Sequence, residues 1–84
     1  MTALHLDVRG RPPPEPMERI LDALEVLPPG WHLVALTPLR PLPLLPMLDA
    51  DGFAWRLRDL EHGGAVLTVC HAHERHLLET TGDG

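Results

Sequence analysis

The residues best suited to chemistry lie close together late in the sequence, between Cys70 and His76. One thiol and three imidazoles occur within seven residues, at Cys70, His71, His73 and His76. Thiolate sulfur and imidazole nitrogen are common ligands of zinc and other transition metals. The segment therefore predicts a divalent metal site as one alternative, although its spacing matches no familiar zinc motif. The other interpretation is a solvated, histidine-rich strand end that binds nothing.

The geometry of such a site depends on where the strand ends. In an extended strand, His71 and His73 share one face at a separation of about 6.6–7 Å, and Cys70 points to the opposite face. A site that uses all four ligands therefore requires the strand to end near His71. His62, in a predicted turn, comes near only if the strands pair there.

Cys70 is the only cysteine of the chain, so no internal disulfide can form. A catalytic thiolate needs a lowered pKa and access to substrate. A single cysteine in a strand is more often an inert, small apolar side chain. An enzyme or a sulfur carrier that acts through Cys70 is therefore the least favoured function, and we expect a protein without enzymatic activity.

A second group of charged residues surrounds the segment Arg9–Pro16, which we call the proline turn. Arginines beside a helix start could attract an anion, but anion sites use free backbone N–H groups, and proline has none. Glu15 would also repel an anion. We therefore expect a rigid turn in which Asp7 pairs with Arg9 or Arg11.

The elements that must position these residues follow from hydrophobic periodicity and from the ten prolines. Leu4–Val8 alternates as a strand, and apolar residues from Met17 to Leu27 recur at helical spacing. Trp31–Thr37 is typical of a buried strand. A second, shorter helix is predicted at about Leu42–Asp51, and a hairpin follows it. The predicted fold is α+β, a two-layer sandwich of order β-α-β-α-β-β, with two helices on one face of a mixed four-stranded sheet.

The second helix and its lead-in contain more apolar residues than one helix can bury. Either the entering loop packs over the sheet, or part of this surface is exposed and marks a partner site. The residues concerned are Leu39, Leu42, Leu44, Leu45, Met47 and Leu48.

Composition excludes several classes of protein. The net charge is −5 and lysine is absent, which argues against binding to a nucleic acid backbone. No apolar run reaches the length of a membrane span, and the N-terminus lacks the pattern of a signal peptide. With a single cysteine, we expect a cytoplasmic protein. A single domain is expected over residues 1–78, with a flexible tail at 79–84.

The proline turn also carries a resemblance to known proteins. With the preceding strand end, it is similar to the TusA/SirA-like signature, roughly RGxxCPEP, between the first strand and the first helix. The variant RGxPPPEP, followed by a PPG turn and a proline-led second helix, resembles a bacterial family called domain of unknown function 2249. The resemblance implies a TusA-like fold, and its motif residues are Asp7, Arg9, Gly10, Pro13, Pro14, Glu15 and Pro16.

The departure from the sulfur carriers lies at Pro13. TusA-like carriers hold a persulfide on the motif cysteine, and Pro13 occupies that position here. The resemblance therefore implies no sulfur transfer. We therefore expect a protein-interaction module that is a monomer or weak homodimer, and the resemblance implies a redox or respiratory setting linked to nitrogen oxides and hemerythrin-like proteins. A metal- or small-ligand-binding module using His71, His73 and His76 is the alternative.

Overall fold

A computed structural model describes residues 2–76 and 78. Its four strands pair in one mixed sheet. They are β1 (Thr2–Asp7), β2 (Trp31–Thr37), β3 (Phe53–Asp59) and β4 (Ala65–His71), and the sheet order is β1-β2-β4-β3. β1 runs parallel to β2, whereas β4 is antiparallel to both β2 and β3. The predicted α+β fold is therefore confirmed. The predicted tail, 79–84, lies outside the described residues.

Two α-helices connect the strands: α1 (Glu15–Glu25) joins β1 to β2, and α2 (Leu45–Ala50) joins β2 to β3. A 3-10 helix, Leu42–Leu44, leads into α2. The second helix is therefore two short pieces rather than one. Pro16 and Pro46 each lie in the first turn of an α-helix, where their missing N–H costs no helical hydrogen bond.

Both helices bury their apolar stripe on the same face of the sheet. Ile20 and Leu24 of α1 and Leu48 of α2 belong to one buried cluster with the central strands. Apolar burial at about 25 cal/mol per Å² is the main force that holds the two layers together. The strand residues in this cluster are Leu33, Ala35, Leu67 and Val69.

The β3–β4 hairpin depends on a glycine. Gly64 has a φ of +83°, and a Cβ placed on it would overlap the backbone carbonyl oxygen of Thr37. Only glycine fits this close approach of the turn to β2. The predicted turn that contains His62 is thus confirmed. Among the described residues, no helix is long and apolar enough to cross a membrane.

Candidate functional site

The proline turn is stabilised on one side by an ion pair between Asp7 and Arg9. The Arg9 guanidinium donates to both carboxylate oxygens of Asp7, at 3.0 and 2.8 Å, and the Arg9 backbone N–H donates to the same carboxylate at 3.1 Å. These hydrogen bonds lower the pKa of Asp7 from its ordinary 3.8 to about 2, because they stabilise the charged carboxylate. The expected pairing of Asp7 is therefore present, with Arg9 as the partner.

On the other side, Glu15 pairs with two arginines. Its carboxylate accepts from Arg11 and, at 3.4 Å, from Arg19 one helical turn further on. The backbone N–H of Glu15 donates to Pro12, and that of Glu18 donates to Pro14. Internal bonds thus occupy these two N–H groups, while the prolines have none to offer. The turn therefore presents apolar proline surface rather than anion-binding donors.

Beside the proline turn lies an apolar groove with a volume of about 310 Å³. One wall consists of the turn and the start of α1, and the other consists of the loop between β2 and α2. Arg40 is its one charged lining residue, and it pairs with Asp59 at 2.9 Å. The groove, called the apolar groove below, is lined by Pro13, Pro14, Pro16, Met17, Ile20, Thr37, Pro38, Leu39, Arg40, Pro41 and Pro43.

Of the apolar residues after β2, which are too many for one helix to bury, some lie in the core and others on the surface. Leu44 and Leu48 are fully buried. Leu39, in the wall of the apolar groove, is 73% exposed, and Leu42 is 53% exposed. Part of the surplus therefore faces solvent, next to the residues of the motif.

The histidines of the predicted metal site do not lie as a single strand would place them. β4 ends at His71, as a site that uses all four ligands would require, and Ala72–Glu74 form a 3-10 helix, so His71 and His73 do not share a strand face. The Ala72 N–H still donates to the carbonyl oxygen of Gly52, just before β3, and the chain then turns into the 3-10 helix. The rings of His71 and His73 nevertheless lie 5.9 Å apart, centre to centre.

Other contacts engage these side chains. Nε2 of His71 lies 2.9 Å from the carbonyl oxygen of Leu27, to which it donates, since a carbonyl can only accept. His73 and His76 are exposed, and His62 lies in the hairpin turn at the opposite end of β4. Within residues 2–76 and 78, no three His, Cys, Asp or Glu side chains are arranged to hold a metal ion. The geometry thus adds no support to this alternative.

Cys70 is fully buried on the sheet face that points away from the helices. Its thiol donates to the carbonyl oxygen of Glu74 at 3.4 Å. Burial raises the pKa of the Cys70 thiol, which keeps it protonated and a poor nucleophile at neutral pH. These contacts weigh against a catalytic or sulfur-carrying role for this thiol.

One residue of interest escapes the sequence patterns. His32 lies in β2, is 7% exposed, and its Nδ1 has no hydrogen-bond partner. Burial lowers the pKa of His32, so the ring is neutral at neutral pH. The sequence did offer one indication of this residue, a single histidine within the apolar run Trp31–Thr37. A polar side chain buried in such a strand normally has a hydrogen-bond partner.

Comparison with known proteins supports one part of the resemblance carried by the proline turn, the part to the family called domain of unknown function 2249. Residues 5–76 match the family described as uncharacterized conserved protein, DUF2249. Neither the curated proteins nor the solved structures contain a match to this chain. The matched region extends from β1 to the 3-10 helix after β4, and the chain therefore belongs to the DUF2249 family of uncharacterized conserved proteins.

Proposed function

We propose that this protein is a non-enzymatic interaction module that binds an apolar segment of a partner protein in the apolar groove. The observation that carries the proposal is the exposure of Leu39 in the wall of a groove built largely from prolines. A partner that covers this surface gains the hydrophobic free energy of about 25 cal/mol per Å² of apolar area.

The charges around the groove favour recognition by shape and apolar contact. Arg40 pairs with Asp59, and Arg11 pairs with Glu15. Arg40 in the groove lining and Arg11 in the proline turn are thus each neutralised within the protein. The partner segment therefore needs an aliphatic or aromatic side chain of suitable size more than it needs net charge.

The rigidity of both walls supports the same proposal. Proline fixes φ, so a wall of prolines loses little conformational entropy when a partner binds. We place the module on a TusA-like scaffold that has lost the sulfur-carrying cysteine, with a redox or respiratory protein as its partner. On this view Pro13 contributes binding surface where the carriers contribute sulfur.

The test compares two single substitutions on equally exposed apolar residues. Leu39→Glu places a charge in the groove wall, whereas Val26→Glu places the same charge at a residue that is 72% exposed and lies outside the groove. Cell extract captured on each variant and on the unchanged protein is compared by mass spectrometry. The candidate partner is then purified, and its affinity is measured by calorimetry.

The proposal expects a purified partner whose affinity falls by at least about tenfold with Leu39→Glu, a loss of roughly 1.4 kcal/mol. Val26→Glu should leave the affinity unchanged. A partner that binds both variants equally well would show that the groove is not the recognition surface. Thermal unfolding of both variants verifies that neither change acts through loss of the fold.

A further inference from the structure

A second candidate site lies on the opposite side of the sheet from the helices. The register pairs Ala3 with His32 across β1 and β2, and Ala54 with Cys70 across β3 and β4. Leu33 pairs with Val69, so the next antiparallel pair outward is His32 with Cys70. An imidazole and a thiol therefore lie side by side on one sheet face, where the Cβ atoms of such pairs are about 4.5–5.5 Å apart.

Both side chains are shielded from solvent. Cys70 is fully buried and His32 is 7% exposed. Nδ1 of His32 is the one buried side-chain nitrogen or oxygen in residues 2–76 and 78 that lacks a hydrogen-bond partner. An unsatisfied buried polar atom costs about 1–3 kcal/mol, so its presence requires an explanation. A ligand that binds this nitrogen would supply one.

The chemistry of the two donors selects the ligand. A neutral imidazole nitrogen and a thiolate sulfur are the donors that soft transition-metal ions prefer. Structural zinc takes four protein ligands in a tetrahedron, and this row of the sheet offers two, with alanine on either side. Copper in its monovalent state binds thiolate sulfur well and accepts fewer ligands than zinc.

We propose that Nδ1 of His32 and Sγ of Cys70 together bind one Cu(I) ion. The ion takes the place of the thiol proton, which leaves to solvent, and copper remains monovalent throughout. The weak S–H···O bond to Glu74 is lost, and two metal–ligand bonds replace it. Because the proton is displaced, the affinity for copper rises with pH.

The experiment titrates the purified protein with Cu(I) under anaerobic, reducing conditions against a chromogenic Cu(I) chelator. One equivalent should bind, with a near-ultraviolet absorption from the copper–thiolate bond. His32→Phe and Cys70→Ser should each weaken binding by at least about a hundredfold, since loss of a residue that merely supports a metal ligand already costs about 10–100-fold. His73→Ala and His76→Ala are the matched controls, and both should bind as tightly as the unchanged protein.

Nuclear magnetic resonance on the unchanged protein provides a test that does not depend on whether the variants fold. The Nδ1 signal of His32 should shift on addition of one equivalent of Cu(I), while the signals of His73 and His76 stay in place. The proposal is overturned if the protein binds no copper, if the His32 signal does not move, or if binding survives His32→Phe and is lost with His73→Ala.

Discussion

At the scale of single residues, the proline turn separates its charged side chains from its apolar ones. Pro13 contributes to the wall of the apolar groove. Asp7 and Arg9 bond each other, and Glu15 bonds Arg11. The charged residues of the motif thus stabilise the turn by pairing with one another, while its prolines line the apolar groove.

The bond between Asp7 and Arg9 predicts how the turn responds to acid. The folded-state pKa of Asp7 is about 2, below its ordinary 3.8, so the stabilisation from this carboxylate is complete above pH 3.8 and is lost as the pH falls through 2. A carbon-detected NMR titration of the Asp7 carboxyl should give a midpoint near 2. In Arg9→Ala the midpoint should return toward 3.8, whereas Arg11→Ala should leave it unchanged. A midpoint near 3.8 in the unchanged protein would contradict this assignment.

Sequence patterns predicted local contacts of this kind and missed those that need the sheet. Asp7 and Arg9 are two residues apart, so charge and proximity were enough to predict their pairing. The placement of His32 beside Cys70 depends on strand order and register, which no pattern in the chain fixes. Similarly, the histidines after Cys70 looked like its partners because they are near in sequence, while the Cys70 thiol in fact bonds Glu74 and the His71 ring bonds Leu27.

At the scale of elements, the 3-10 helix that follows β4 joins two distant parts of the fold. The Gly30 N–H, in the turn between α1 and β2, donates to both carboxylate oxygens of Glu74 at 3.0 Å. His71 donates to Leu27, just before the same turn. These contacts span 44 residues of sequence, so they could not be predicted from it.

This connection predicts the effect of removing the Glu74 carboxylate. Glu74→Ala leaves the Gly30 N–H without its acceptor and should lower the free energy of unfolding by about 1 kcal/mol. Urea denaturation measures that loss, and amide hydrogen exchange should become faster at Gly30 in particular. Glu61→Ala is the control, because its side chain is 89% exposed, and it should change stability by less than about 0.5 kcal/mol. Unchanged exchange at Gly30 in Glu74→Ala would show that this bond does not stabilise the turn.

At the scale of the whole molecule, periodicity accounts for the success of the fold prediction. Alternating apolar and polar residues predicted β1 and β3, apolar residues at helical spacing predicted α1, and a continuous apolar run predicted β2. The two layers and the order of the elements could be predicted from these patterns. The apolar groove is a different kind of feature. It arises where two proline segments about 25 residues apart approach each other over the start of α1, and its lining could not be predicted from either segment alone.

The fold and the groove should therefore respond to substitution independently. Leu67 is fully buried at the centre of the sheet, and Leu67→Ala should cost about 2–5 kcal/mol of the free energy of unfolding, a large share of the stability of so small a domain. Leu39→Glu lies on the exposed wall of the groove and should change that free energy by less than about 0.5 kcal/mol. Urea denaturation of both variants measures these values. A side chain whose role is to bind a partner contributes to the free energy of unfolding only when the partner covers it. If Leu39→Glu lowered that free energy as much as Leu67→Ala does, Leu39 would belong to the core and would not be a binding residue.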